Sequence, residues 1–188
     1  GHIGYRNDGV FIENCNILFK AFYDNELSAL RRKLSRETNL SYPKTLQQTF
    51  GIEVIIPSEY SLNIDSSGFK LFSYNPPKKE IIKHILFASI PYTDNNRIDS
   101  IIMNTNRITS KILEGASEDS YVILEPDFYP KLYNGSYRAR WKLHNGFMGG
   151  PIIIKPYVVD NRLILAIALV FSPQSSKRGY IKEFEAIL

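Results

Sequence analysis

Apolar positions change period several times along the chain, and each change marks an element. From Gly9 onward Phe11, Cys15, Leu18 and Phe22 recur at helical spacing, Ile12 and Phe19 widen the stripe, and Leu27, Leu30 and Leu34 continue it. The spacing predicts a helix over about 9–37, in one piece or in two with an offset near Asp24-Asn25. Ser41 before Pro43 predicts the N-cap of a second helix, and Gly51 after Phe50 its stop. The period then falls to two. Ile52, Val54 and Ile56 predict a strand ended by Pro57, and Leu62-Asn-Ile64, Phe69 to Tyr74 and Ile81 to Ile90 continue an antiparallel meander.

Helical spacing returns at Ile98, Ile101, Ile102, Ile108 and Ile112, with Asp94 or Asn96 as the cap and Gly115 as the stop. A second strand group starts at Tyr121 to Leu124. Within Ser136 to His144, Ala139, Trp141 and Leu143 point one way, and Arg138, Arg140 and Lys142 the other. Pro151 to Val159 and Leu163 to Phe171 follow as strands joined by a turn at Asp160-Asn161-Arg162. Pro156 marks the first of these as an edge or bulged strand. Tyr180, Ile181, Phe184, Ile187 and Leu188 form the apolar face of a closing helix. The expected fold class is α+β: a single domain over 1–188 with an antiparallel, twisted sheet and helices packed on its faces. Its core should hold Ile52, Val54, Ile56, Leu86, Ile90, Trp141, Leu165, Ile167 and Leu169, covered by Leu18, Phe22, Leu30, Ile101, Ile108 and Phe184.

Composition refines this picture only slightly. Twelve Tyr and eleven Phe against one Trp supply ample rings for half-buried sheet faces. A net charge of +4 permits anionic partners without demanding them. Arg31, Arg32, Lys33 and Arg36 interleave with Leu30 and Leu34 and read as the solvated face of an amphipathic helix, with no nucleic-acid recognition motif beside them. Cys15 is the only cysteine, so no internal disulfide forms, and its place in an apolar stripe suits a small core hydrophobe. The longest apolar run, Leu163 to Phe171, is too short to span a bilayer as a helix. The opening Gly1-His2-Ile3 reads as a tag remnant on a fragment, with any targeting signal upstream.

The run Arg140-Trp141-Lys142-Leu-His-Asn-Gly-Phe147-Met148-Gly149-Gly150-Pro151 and the ending Phe171-Ser-Pro173, Lys177-Arg178, Tyr180 and Glu185-Ala186-Ile187 resemble the domain-of-unknown-function family numbered 4837, found in gut-type Gram-negative bacteria. Phe50-Gly51-Ile52, Ile56-Pro57 and Pro91-Tyr92-Thr93-Asp94 support the likeness, which covers about Asp24 to Leu188. The resemblance implies a cell-envelope protein, lipid-anchored through a region upstream of this chain, and it implies no activity. Family members commonly carry an acid before Phe-Met-Gly-Gly, where Gly146 stands here. The order of elements also resembles the PsbP-like α/β/α sandwich, a likeness of fold that says little about function.

Candidate chemistry is sparse. His84 lies mid-strand and His144 at a strand end, and neither has neighbours at zinc-ligand spacing, so no metal and no cofactor is expected. No G-x-S-x-G elbow is present, and Cys15 is not on a strand-to-helix turn, so no catalytic residue is assigned. Gly149 and Gly150 enter a strand rather than a helix, which suits a tightly packed corner better than a phosphate cradle. Phe147 and Met148 either pack in that corner or project from it. Arg138, Arg140 and Lys142 line one strand face over about 13 Å. They form either a solvated, salt-bridged face or a groove for an anionic partner. The candidate binding residues are therefore Arg138, Arg140, Lys142, Phe147, Met148, Gly149 and Gly150. The expected function is non-catalytic binding of an anionic ligand or an envelope protein, with no nucleic acid, and with the membrane reached only through the upstream anchor. The alternative is an envelope hydrolase built on scattered carboxylates and His144.

Overall fold

The computed structural model describes residues 7–92 and 98–188, so the caps expected at Asp94 and Asn96 lie outside the described residues. Two helices open the fold, α1 (Asn7–Arg36) and α2 (Ser41–Phe50). They lead into β1 (Ser61–Asp65), β2 (Phe69–Tyr74) and β3 (Ile82–Pro91). Helix α3 (Ile98–Ile112) follows, then β4 (Tyr121–Leu124), β5 (Lys131–Tyr133), β6 (Ser136–His144), β7 (Gly149–Val159) and β8 (Arg162–Phe171), and α4 (Arg178–Ile187) closes the chain. All eight strands join one antiparallel sheet in the order β1-β2-β3-β8-β7-β6-β4, with β5 also pairing β6. The fold is α+β.

The central strand β8 shows how alternation builds two cores. Ile164, Ala166, Ala168 and Val170 face α2, α4 and the second half of α1, where Leu46, Phe50, Phe184 and Ile187 are fully buried. Leu163, Leu165, Ile167 and Leu169 face α3, packing with Ile101, Ile108, Leu86 and Trp141. A side chain pointing to either face meets a helix layer, which is why β8 reads as a continuous apolar run. Gly51 ends α2 in the left-handed conformation (φ 73°), its N–H donating to the Gln47 carbonyl. Asp160 and Asn161 take φ of 45° and 59°, the conformation that a two-residue hairpin turn requires. Pro156 sits on the part of β7 that outruns β6, whose pairing stops at Tyr137↔Ile154, so β7 is locally an edge there.

Four expectations need correction. Ile52, Val54 and Ile56 are buried as expected, but the segment is not a strand. It lies over the first core, where the Ile55 N–H donates to the Ile187 carbonyl at 3.2 Å, and burial of alternate residues there needs no ladder. Leu18 and Phe22 do not cover the sheet and stay 58% and 71% exposed. At 30 residues, roughly 45 Å, α1 extends past its contacts with α4. Its grip on α4 begins near Tyr23 and continues through Glu26, paired with Lys182, and Arg31, which donates to the Ala186 carbonyl. Cys15, on the overhanging half, is only half-buried. Ser41 does not cap α2; its N–H instead donates to Asn39 Oδ1 at 3.1 Å.

Candidate functional site

The alternation along β6 directs Arg138, Arg140 and Lys142 toward the α1/α4 side and Trp141 and Leu143 toward the α3 side. Arg138 Nε donates to Glu185 of α4 at 2.5 Å, and its Nη2 donates to the Tyr23 hydroxyl at 2.7 Å. Its guanidinium lies 3.8 Å from the centre of the Tyr133 ring. The Tyr23 hydroxyl in turn donates to Glu185, and burial together with that carboxylate raises its pKa. Arg140 Nε meets Glu125 at 3.0 Å and stacks over Phe128 at 4.2 Å. Lys142 is exposed, with no ion partner among the described residues. The acids come from α4 and from the residue after β4, not from the neighbouring strand β7.

Phe147 stands fully exposed on the β6–β7 turn, at 108% of its reference area, whereas Met148 is half-buried against the α3-side core. Gly149 and Gly150 begin β7 opposite Lys142 and Trp141. The Trp141 indole lies beside Gly150, and its Nε1 donates to the Val170 carbonyl at 3.1 Å. Continuing the β7–β8 register by one residue from Ile152↔Leu169 places Pro151 opposite Val170. Proline has no N–H to offer that carbonyl, and the indole supplies a donor instead. The Trp-Gly-Gly-Pro pattern is therefore a packing device.

Met148 also borders a concavity that none of the motifs pointed to. One helix, α3, covers the second face of an eight-stranded sheet, and a helix about 10 Å wide leaves much of such a face open. The opening is a cleft of about 430 Å³. Its β6 side is walled by Trp141, Leu143 and Met148, its sheet floor includes Leu71, Leu169 and Phe171, and Leu113 to Ala116 form its rim after α3. Its most deeply set polar pair is Ser73 with His84, joined by a 2.8 Å hydrogen bond between Ser73 Oγ and His84 Nδ1. The two residues are direct cross-strand partners on β2 and β3. Burial pushes the His84 pKa down to about 4, so the imidazole is neutral near pH 7.

A serine beside a histidine invites a nucleophilic reading, which this pair does not support. No carboxylate orients the imidazole among the described residues, and an imidazole titrating near pH 4 is a weak base for a hydroxyl. His144 lies elsewhere, stacked on Tyr121 at 4.7 Å across β4 and β6. Among the described residues no cluster of three His, Cys, Asp or Glu is placed to hold a metal ion.

The His84 shift has a measurable consequence. Its folded pKa lies below the unfolded value of 6.5, so below pH 6.5 the unfolded chain binds a proton that the folded protein resists. Stability from this group falls from about pH 6.5 to about pH 4 and then levels off. Urea denaturation at pH 7 and pH 4.5 should show His84→Gln losing ~2 kcal/mol less than the wild type between the two. Equal losses would place the imidazole in water.

No curated protein matches the chain in sequence. A solved structure described as a STAR-related lipid transfer protein (fragment 25–204) from Xanthomonas axonopodis is similar at 11% identity and a TM-score of 0.34, covering 69% of this chain and 91% of that one. The family model described as domain of unknown function (DUF4837) matches residues 39–188, and with most of its length inside that match the chain belongs to this family.

Proposed function

We propose that this is a non-catalytic binding domain of the cell envelope whose cleft between the sheet and α3 takes a small, mostly apolar ligand. The observation that carries the reading is the cleft itself: about 430 Å³, walled largely by apolar side chains, with the neutral Ser73–His84 pair set into it and Asn63 and Glu114 exposed at its edge. Volumes and linings of this kind suit small-molecule sites. An anionic partner on the β6 face would compete with Glu185 and Glu125 for two of the three cations there, so the cleft carries the function better. The envelope location and the upstream lipid anchor rest on the family likeness alone, and fractionation of the full-length protein checks them.

Trp141 is the only tryptophan and lines the cleft, so its emission reports occupancy directly. Titration with the neutral apolar dye N-phenyl-1-naphthylamine should give saturable quenching by energy transfer at one site per chain. Ala116 is exposed at the rim, so Ala116→Phe should narrow the entrance without unfolding the protein and weaken the dye by about tenfold or more. Quenching that does not saturate, or that ignores the substitution, counts against the cleft.

A further inference from the structure

We infer that the cleft selects elongated amphiphiles whose head is uncharged and carries a hydroxyl or carbonyl group, with His84 Nε2 as the hydrogen-bonding contact. This rests on the cleft being a ligand site. The shape comes from the topology. His84 is on β3 and Trp141 on β6, with β8 and β7 between them, and the register sets Ala139 straight across from His84, so the polar end and the aromatic wall lie about 14 Å apart across the sheet and about 7 Å along it. An extended ten-carbon chain with a head oxygen bridges the two, once the contact distance at each end and the reach of the His84 and Trp141 side chains are included, and a compact ligand could not touch both.

The head chemistry follows from what faces the cleft. His84 Nδ1 is committed to Ser73, and Nε2 has no protein partner among the described residues. A neutral imidazole offers one donor or one acceptor at Nε2, depending on the tautomer. A hydroxyl satisfies either tautomer, and an ester or amide carbonyl satisfies one. Among the described residues no Lys or Arg lines the cleft, and the one carboxylate is Glu114, exposed at the rim. A fatty carboxylate would shed its hydration against apolar walls without meeting a cation. An alkylammonium would find only a hydrated, screened carboxylate. Burial keeps the imidazole itself from becoming the missing cation at neutral pH.

Decanol, decanoate and decylammonium share one chain and differ in the head. Displacement of N-phenyl-1-naphthylamine from the intact chain at neutral pH, followed through Trp141, should rank decanol at least about tenfold tighter than either ion. His84→Leu should weaken decanol by about fivefold, while His84→Asn, which keeps a neutral hydrogen-bonding group, should hold most of the affinity. Circular dichroism establishes that both variants are folded. Decanoate binding as tightly as decanol would overturn the head-group inference and leave the cleft standing. An unchanged decanol affinity in folded His84→Leu would overturn the Nε2 contact. Dye that fails to saturate, with no response to any of the three, would remove the site altogether.

Discussion

Truncating Lys83 to alanine is expected to destabilise the protein by about 3–5 kcal/mol, the range for removing one partner of a buried ion pair. Lys83 lies on β3 facing the α1/α4 side and is 4% exposed. Its ammonium donates to Glu59 and to Glu183, each at 2.7 Å, and sits 5.0 Å and 4.6 Å from the Tyr60 and Tyr74 ring centres. The Tyr60 hydroxyl donates to the same Glu183 oxygen at 3.0 Å. Burial alone would lower the Lys83 pKa, but Glu183 and Glu59 outweigh it and raise it, so the lysine is charged through the neutral range. Removing it leaves Glu183, whose side chain is only 18% exposed, without a counter-charge. Urea denaturation at neutral pH measures the loss, and the double variant Lys83→Met/Glu183→Leu should regain part of it, because no buried charge is then unpaired: Glu59 is 44% exposed and solvated, and what is left is the Tyr60 hydroxyl without its acceptor. A loss below about 1 kcal/mol would mean that water reaches the network and solvates Glu183 unaided.

Periodicity announced the sheet because each strand's alternation is a local record of two opposed faces. β8, β6 and the isoleucine stripe of α3 could be placed that way. The same signal misled where alternate burial arose without a ladder, as at Ile52 to Ile56, and where an apolar stripe ran past its partner, as at Leu18 and Phe22. Periodicity reports which side of an element is apolar; what lies opposite is a tertiary fact. β5 had a readable signal in Asn134-Gly135, whose φ values of 47° and 76° make the tight turn into β6. Its three exposed residues carried no alternation to flag it. The ion partners of Arg138 and Arg140 could not be read, since Glu185 and Glu125 come from outside the neighbouring strand. The cleft was illegible for the same reason. Ser73 and His84 meet only through the β2–β3 register, and they face Trp141 only because β8 and β7 insert between β3 and β6.

The Trp-Gly-Gly-Pro pattern was visible in the sequence, and its physical meaning yields the second large effect. Gly150→Ala should cost about 3–5 kcal/mol, combining overpacking with a broken buried hydrogen bond. A Cβ at position 150 would stand 2.2 Å from the Val170 carbonyl oxygen and 3.2 Å from Trp141 Nε1. The first of these contacts is with backbone in a central strand paired on both sides, which cannot yield as a flexible side chain does. Relief requires β7 to move off β8 or the indole to leave, and either one strands the Val170 carbonyl that Pro151 cannot satisfy. The tryptophan is itself the probe. It is 3% exposed in the native protein, so a displaced ring in Gly150→Ala should emit at longer wavelength and quench more readily with acrylamide even while the chain is folded. Ala at Gly68, where a Cβ meets nothing within 4 Å, is the matched control and should change neither stability nor emission. If Gly150→Ala matched that control, β7 would have room to shift, and the indole bond to Val170 would not be what fixes this corner of the sheet.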